Sequence, residues 1–176
     1  DGSLACASVT RFEMEKNEGA TELWLNPTRP SRGARPRRLT AGEKDSGPAW
    51  SPDGRLIAFT AKRRDDEVPQ VYVIAPDGGE ARRVTSLATG CASVRWFADG
   101  RRLAFVSWVW ADLRNDAAQA KRLKERRDTK VKVHATERAE YRYWDHWLTE
   151  GREPHVFVCD VATGRCRDAL AGTGLS

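Results

Sequence analysis

Ten residues of this chain are written almost twice. WSPDGRLIAF occupies Trp50–Phe59 and WFADGRRLAF occupies Trp96–Phe105. At a shift of 46 positions (96 − 50), Trp50 meets Trp96, Asp53 meets Asp99, Gly54 meets Gly100 and Phe59 meets Phe105, with no gap. Self-similarity at a period of about 20–50 residues restricts a chain to repeat architectures, in which each unit buries its faces against its neighbours. The opening stretch, DGSLACASVTR, fits the same frame at a shift of 52 (53 − 1), with Cys6 where Ala58 stands.

A second unit follows each phrase. QVYVIAPDGGEARRVT (Gln70–Thr85) aligns with HVFVCDVATGRCRDAL (His155–Leu170) at a shift of 85 (155 − 70). A looser copy is ELWLNPTRPSRGARPRRLT (Glu22–Thr40). LIAFTA, LAFVS, QVYVI and HVFVCDV are short apolar runs rich in β-branched and aromatic residues and bounded by Gly and Pro, the marks of strands. The Asp-Gly pairs mark tight hairpins, in which Asp bonds nearby amides and Gly supplies a positive φ. Phe97-Ala98 stands where the first phrase has Ser51-Pro52, so the second turn is expected to be looser. Each unit therefore reads as four antiparallel strands in about 45 residues, the length of one propeller blade.

The chain is thus expected to be all-β, a partial β-propeller of between two and three four-stranded blades filling residues 1–176. A first blade without its opening strand falls at about 2–40, a second at about 46–85 and a third at about 91–170. Trp50, Asp53, Gly54, Trp96, Asp99 and Gly100 are structural motif residues in this reading. A closed ring needs at least four blades, so self-association through open blade edges is expected.

The third blade is interrupted between about 108 and 153. WADLRNDAAQAKRLKERRD carries Leu113, Ala117, Ala120 and Leu123 at helical spacing, which predicts a helix over 111–127. KVKVHATERAEYRYWDHWL alternates as an extended arm or hairpin would. A loop this long in a compact fold is usually functional or disordered, and this one is too aromatic for disorder. A lid over the rim and a packing flap both remain open. Glu137, Arg138, Glu140 and Arg142 offer either a solvated strand face or contacts for a peptide terminus. Asp145 and His146 are adjacent in an extended segment and so point to opposite sides, which excludes a relay between them.

The net charge is +5, and 23 of the 30 basic residues are arginine. The arginine pairs fall at strand ends among 25 acids and do not line one helix, so no nucleic-acid partner is expected. Cys6, Cys91, Cys159 and Cys166 form no metal spacing, so no metal or cofactor is expected. Cys159 and Cys166 take the places of Ile74 and Ala81 in the repeat and are expected as free core thiols, although a hairpin would let them face each other. No apolar run is long enough to span a bilayer. The first residues lack a signal peptide's charged start, and a cytoplasmic location is expected.

The phrases WSPDGRLIAF and VYVIAPDGGEARRVT resemble the TolB-like blades of the prolyl oligopeptidase family of serine peptidases. RFEMEKNEGATELWL and YRYWDHWLTEGREPH are similar to stretches of its acylaminoacyl-peptidase and dipeptidyl-peptidase-like branch. The resemblance covers essentially the whole chain. It implies a propeller that narrows access to a triad on a separate α/β-hydrolase domain, which is not among these residues, so no catalytic residue is carried over. It also implies a peptide substrate reached through that domain, and a chain inert by itself. A TolB-type propeller that binds a protein partner is the alternative.

Overall fold

The computed structural model describes residues 2–15, 17–29, 33–63, 65–129, 142–143, 146–147 and 151–174. Strands β1 (Leu4–Glu13), β2 (Glu18–Pro27) and β3 (Arg37–Arg38) form a three-stranded antiparallel sheet in that order. Strands β4 (Asp45–Trp50), β5 (Ile57–Ala61), β6 (Gln70–Ala75) and β7 (Gly78–Arg83) form a four-stranded meander. The third sheet begins with β8 (Ala92–Trp96) and β9 (Arg102–Val109). The insertion follows, with helix α1 (Asp116–Asp128) and a two-residue hairpin of β10 (Arg142–Tyr143) and β11 (His146–Trp147). Strands β12 (Glu153–Asp160) and β13 (Cys166–Asp168) complete it in the order β8-β9-β12-β13. The fold is a partial β-propeller with one helix-containing insertion in its third blade.

The period of two along each strand sorts the core into two layers. Ile57, Phe59 and Ala61 of β5 join Tyr72 and Ile74 of β6 against Leu23, Leu25 and Leu39 of the first blade. Ala58, Val71 and Val73 face the other way, against Val94, Leu103, Phe105 and Cys159 of the third blade. Every residue of β5 is therefore buried, which is why IAFTA reads as an unbroken apolar run. Each large side chain enclosed this way contributes on the order of 1.5–3 kcal/mol. The two tryptophans of the repeated phrases serve these interfaces: Trp50 packs on the first layer and Trp96 on the second. The Trp96 indole Nε1–H also donates to the Ala49 carbonyl of the second blade at 3.0 Å.

The Asp-Gly turns show why the motif recurs. Gly54 and Gly100 take φ values of 70° and 64°, conformations that residues with a Cβ adopt at a cost. Ser51 N–H donates to Leu56 O at 2.8 Å and Gly54 N–H to Ser51 O at 2.9 Å. Asp53 Oδ1 accepts from the Arg55 amide at 3.1 Å and from the Ser51 hydroxyl at 2.6 Å. The second turn is not looser. Phe97 N–H donates to Arg102 O at 2.9 Å and Gly100 N–H to Phe97 O at 3.1 Å. Asp99 Oδ1 accepts from the amides of Arg101 and Arg102. The missing serine hydroxyl is replaced by the Arg102 guanidinium, which bonds Asp99 Oδ2 at 2.6 Å and lies 4.6 Å from the Phe97 ring centre.

Both turn carboxylates are held below the ordinary range. The Ser51 hydroxyl is the largest cause at Asp53, and the Arg101 amide at Asp99. A lowered folded value means that the ionised form stabilises the fold above the usual carboxylate pKa near 3.9. That contribution fades as pH falls through the folded value. The double variant Asp53→Asn, Asp99→Asn is therefore expected to unfold at lower urea than the wild type at neutral pH. The two curves should converge as pH falls below the lowered carboxylate values of the folded state. A gap that persists unchanged at low pH would contradict this account.

Candidate functional site

In an antiparallel blade, successive connections alternate between the two ends of the sheet. The Asp-Gly turns join β4 to β5 and β8 to β9 at one end. The β5–β6 loop, the β7–β8 connection and the insertion leave from the other. Side-chain bonds gather them there: Asp116 Oδ1 of α1 accepts from the Ala88 amide at 2.8 Å, and Arg127 reaches Glu67 at 2.8 Å.

Helix α1 begins later than its apolar spacing predicts. Asn115 is extended and its side chain caps the Ala118 amide, so the helix starts at Asp116. Leu113 lies in the turn before it, and Ala117 and Ala120 face solvent. The helix is held instead by a buried amide. Gln119 accepts from Trp110 N–H at 3.1 Å and donates to the Trp110 carbonyl at 2.9 Å. The Gln119 side chain thus bonds both backbone groups of Trp110, whose carbonyl also accepts from Leu113 N–H at 3.0 Å, as burial requires. Three guanidinium groups approach the buried Trp110 ring: Arg122 at 5.4 Å, Arg126 at 5.9 Å and Arg152 at 5.7 Å. Arg122 also clamps Asp112 through two bonds of 2.8 Å. Arg152 belongs to the returning end of the insertion, so one indole gathers the departing strand, the helix and the return. Each such contact is worth about 0.5–2 kcal/mol, more when desolvated.

Between α1 and the ends of β12 and β13 lies a cleft of about 930 Å³, lined by Asn115, Gln119, Glu153, His155, Cys166 and Asp168 among others. His155 is 3% exposed. Its Nδ1 bonds Asp168 Oδ2 at 2.6 Å, and Asp168 Oδ1 accepts from the Leu170 amide at 2.9 Å. The carboxylate fixes the ring so that Nε2 faces Glu153 Oε2 at 4.0 Å. Neither of those two buried atoms has a hydrogen-bond partner. A ligand group with two N–H hydrogens, such as an ammonium or –NH2, could donate one to each. No group of three His, Cys, Asp or Glu side chains stands together among the described residues as a metal site would need.

The structure places Trp50, Asp53, Gly54, Trp96, Asp99 and Gly100 away from this cleft, at the opposite end or at the blade interfaces. Glu137, Arg138 and Glu140 lie outside the described residues, as do Trp144 and Asp145. Arg142 is described only as the first residue of β10. The His155–Asp168 pair escaped the sequence reading. Its signal was present: the repeat aligns His155 with Gln70, and each lies near the start of its blade's third strand and bonds the end of the fourth strand or the residues just after it. Gln70 Oε1 accepts from Thr85 Oγ1 at 2.8 Å and from Leu87 N–H at 3.1 Å. Among the arginines of the pairs, Arg38 meets Glu22, Arg63 meets Asp45, Arg83 meets Asp66 and Arg102 meets Asp99.

No protein-family profile matches the chain. It is 36% identical over 104 residues to the uncharacterized peptidase YuxL of Bacillus subtilis, covering 58% of this chain and 15% of that protein. It is 27% identical over 165 residues to dipeptidyl-peptidase 5 of Porphyromonas endodontalis, covering 92% and 22%. Among solved structures it is similar to the acylaminoacyl peptidase of Pyrococcus horikoshii, with a TM-score of 0.66 and 18% identity over 94% of this chain and 22% of that one. It is also similar to the β-propeller domain of the trilobed protease from Pyrococcus furiosus, with a TM-score of 0.54 and 15% identity over 96% and 40%. The chain thus spans about a quarter or less of the curated relatives it matches. The class these features define is a peptidase-associated propeller. More particularly, the fold is similar to the propeller parts of the peptidases named above.

No helix among the described residues is long and apolar enough to cross a membrane.

Proposed function

We propose that this chain is the non-catalytic, substrate-gating part of a serine peptidase that hydrolyses short peptides, and that it is inert alone. The observation that carries the reading is the clamped insertion. The propeller end that bears α1 is built up by a segment pinned at both ends to Trp110, beside a cleft with two unsatisfied polar atoms. Rigid blades provide a size filter at little entropic cost, and an inserted segment supplies specificity. The peptidase names of the relatives support the parent chemistry. The buried Nε2 of His155 and Oε2 of Glu153 suit the N–H groups of a peptide.

The test uses the full-length peptidase that carries this chain. Trp110→Ala should release the insertion while leaving the blade ladders intact. Hydrolysis of peptides of a few residues is expected to persist, while substrates of about thirty residues, previously excluded, become cleavable. An unchanged length profile in a variant whose insertion is demonstrably more protease-sensitive would overturn the gating role. Peptidase activity in the purified 176-residue chain, abolished by one substitution within it, would overturn its inertness.

A further inference from the structure

Cys159 and Cys166 sit directly opposite one another in the β12–β13 hairpin. The flanking bonds fix what kind of pair this is. Asp160 N–H donates to Arg165 O at 3.0 Å and Ala169 N–H to Val156 O at 2.8 Å. Hydrogen-bonded pairs alternate with non-hydrogen-bonded ones along an antiparallel ladder. Pairs 160/165 and 156/169 are bonded, so 159/166 falls on the non-hydrogen-bonded rung, where side chains come closest. The two sulfurs are 2.7 Å apart, against about 2.05 Å in a disulfide. Both residues are free thiols in this structure.

Their surroundings differ. Cys159 is wholly buried, while Cys166 is half-buried and lines the cleft beside Asp168. The shared hydrogen bond and burial keep the proton on Cys159, and the same bond lowers the Cys166 thiol. Cys91, buried nearby against Thr85, is pushed up to about 12 chiefly by burial. An accessible, more acidic thiol beside a buried partner is the arrangement of an attacking and a resolving cysteine.

We propose that Cys159 and Cys166 are a redox modification site that closes to an intrachain disulfide on reaction with a low-molecular-weight disulfide. The Cys166 thiolate attacks one sulfur of the small disulfide, forming a mixed disulfide and releasing one thiolate. Cys159 then loses its proton and attacks the Cys166 sulfur, expelling the second thiolate. In sum, two protein thiols and one small disulfide become one protein disulfide and two small thiols, with two electrons passing to the small molecule. The new bond would staple β13 to β12 two residue pairs beyond Phe157 and Asp168, tying down the strand that carries the His155 partner. The site does not depend on the proposed gating function.

The test uses the chain as it stands with oxidised glutathione as the probe. Free thiols titrated in denaturant should fall from the four of the sequence to two, and dithiothreitol should restore all four. Trypsin cleaves after Arg165, between the two cysteines. After alkylation, the oxidised sample should therefore yield peptide 153–165 joined to peptide 166–167, with Cys6 and Cys91 alkylated. Stable glutathione on Cys166, a link to Cys6 or Cys91, or four alkylated cysteines would each overturn the proposal.

Discussion

Asp45→Ala is expected to lower the unfolding free energy by about 3–5 kcal/mol, the cost of leaving one member of a buried ion pair alone. Asp45 has no exposed surface. The Arg63 guanidinium grips both its oxygens, through Nε at 2.9 Å and through a second nitrogen. That guanidinium also lies over Phe59 at 5.2 Å and Tyr72 at 5.3 Å. Without the carboxylate, a cation would sit on aromatic rings with its anion gone. The Gly42 backbone presses on the same carboxylate so closely that a methyl there would overlap it, so Gly42→Ala should show a smaller loss at the same place. Urea unfolding measures both. A loss below about 1 kcal/mol for Asp45→Ala would show that the pair is not needed, and the double variant Asp45→Leu, Arg63→Met should recover part of the loss.

The second large effect concerns association. The outer face of the third blade presents Val156 and Trp108, each 39% exposed, around half-buried Ala104, Val106 and Val158. On the second blade the corresponding residues are enclosed between neighbours. We expect the 176-residue chain to associate through this face. Val156→Lys should raise the concentration at which association begins by at least about tenfold, since a charge would be buried against apolar surface. Sedimentation velocity reads this directly. A wild-type chain that stays monomeric at high concentration would remove the argument.

The parts of the fold that were legible in the sequence are those set by local rules. An Asp-Gly pair between apolar runs forces a turn, and alternation along LIAFTA assigns each side chain to one of two layers. The helix start was misread because Leu113 sits at helical spacing, while the boundary is set by the Asn115 side chain on the Ala118 amide. The helix's buried residue is hidden from that spacing for a related reason. Gln119, a polar residue, is buried because the Trp110 backbone needs its amide, and no count of apolar residues detects that need. The His155–Asp168 pair joins two strands, and only the comparison with Gln70 hinted at it. The looser turn expected at Phe97-Ala98 did not form, because Arg102 substitutes for a hydroxyl from the far side of the same turn.

The excursion in the third blade departs and returns at a single rung, with Val109 opposite Glu153. Measured along the ladder, the segment between them has no length. Closing a longer loop adds only about 0.6 kcal/mol per doubling, and here the closing point is already locked around one indole. The blade is therefore a socket. Sequence beyond the residues that hold Trp110 could be exchanged, lengthened or trimmed while the β9–β12 ladder keeps its register.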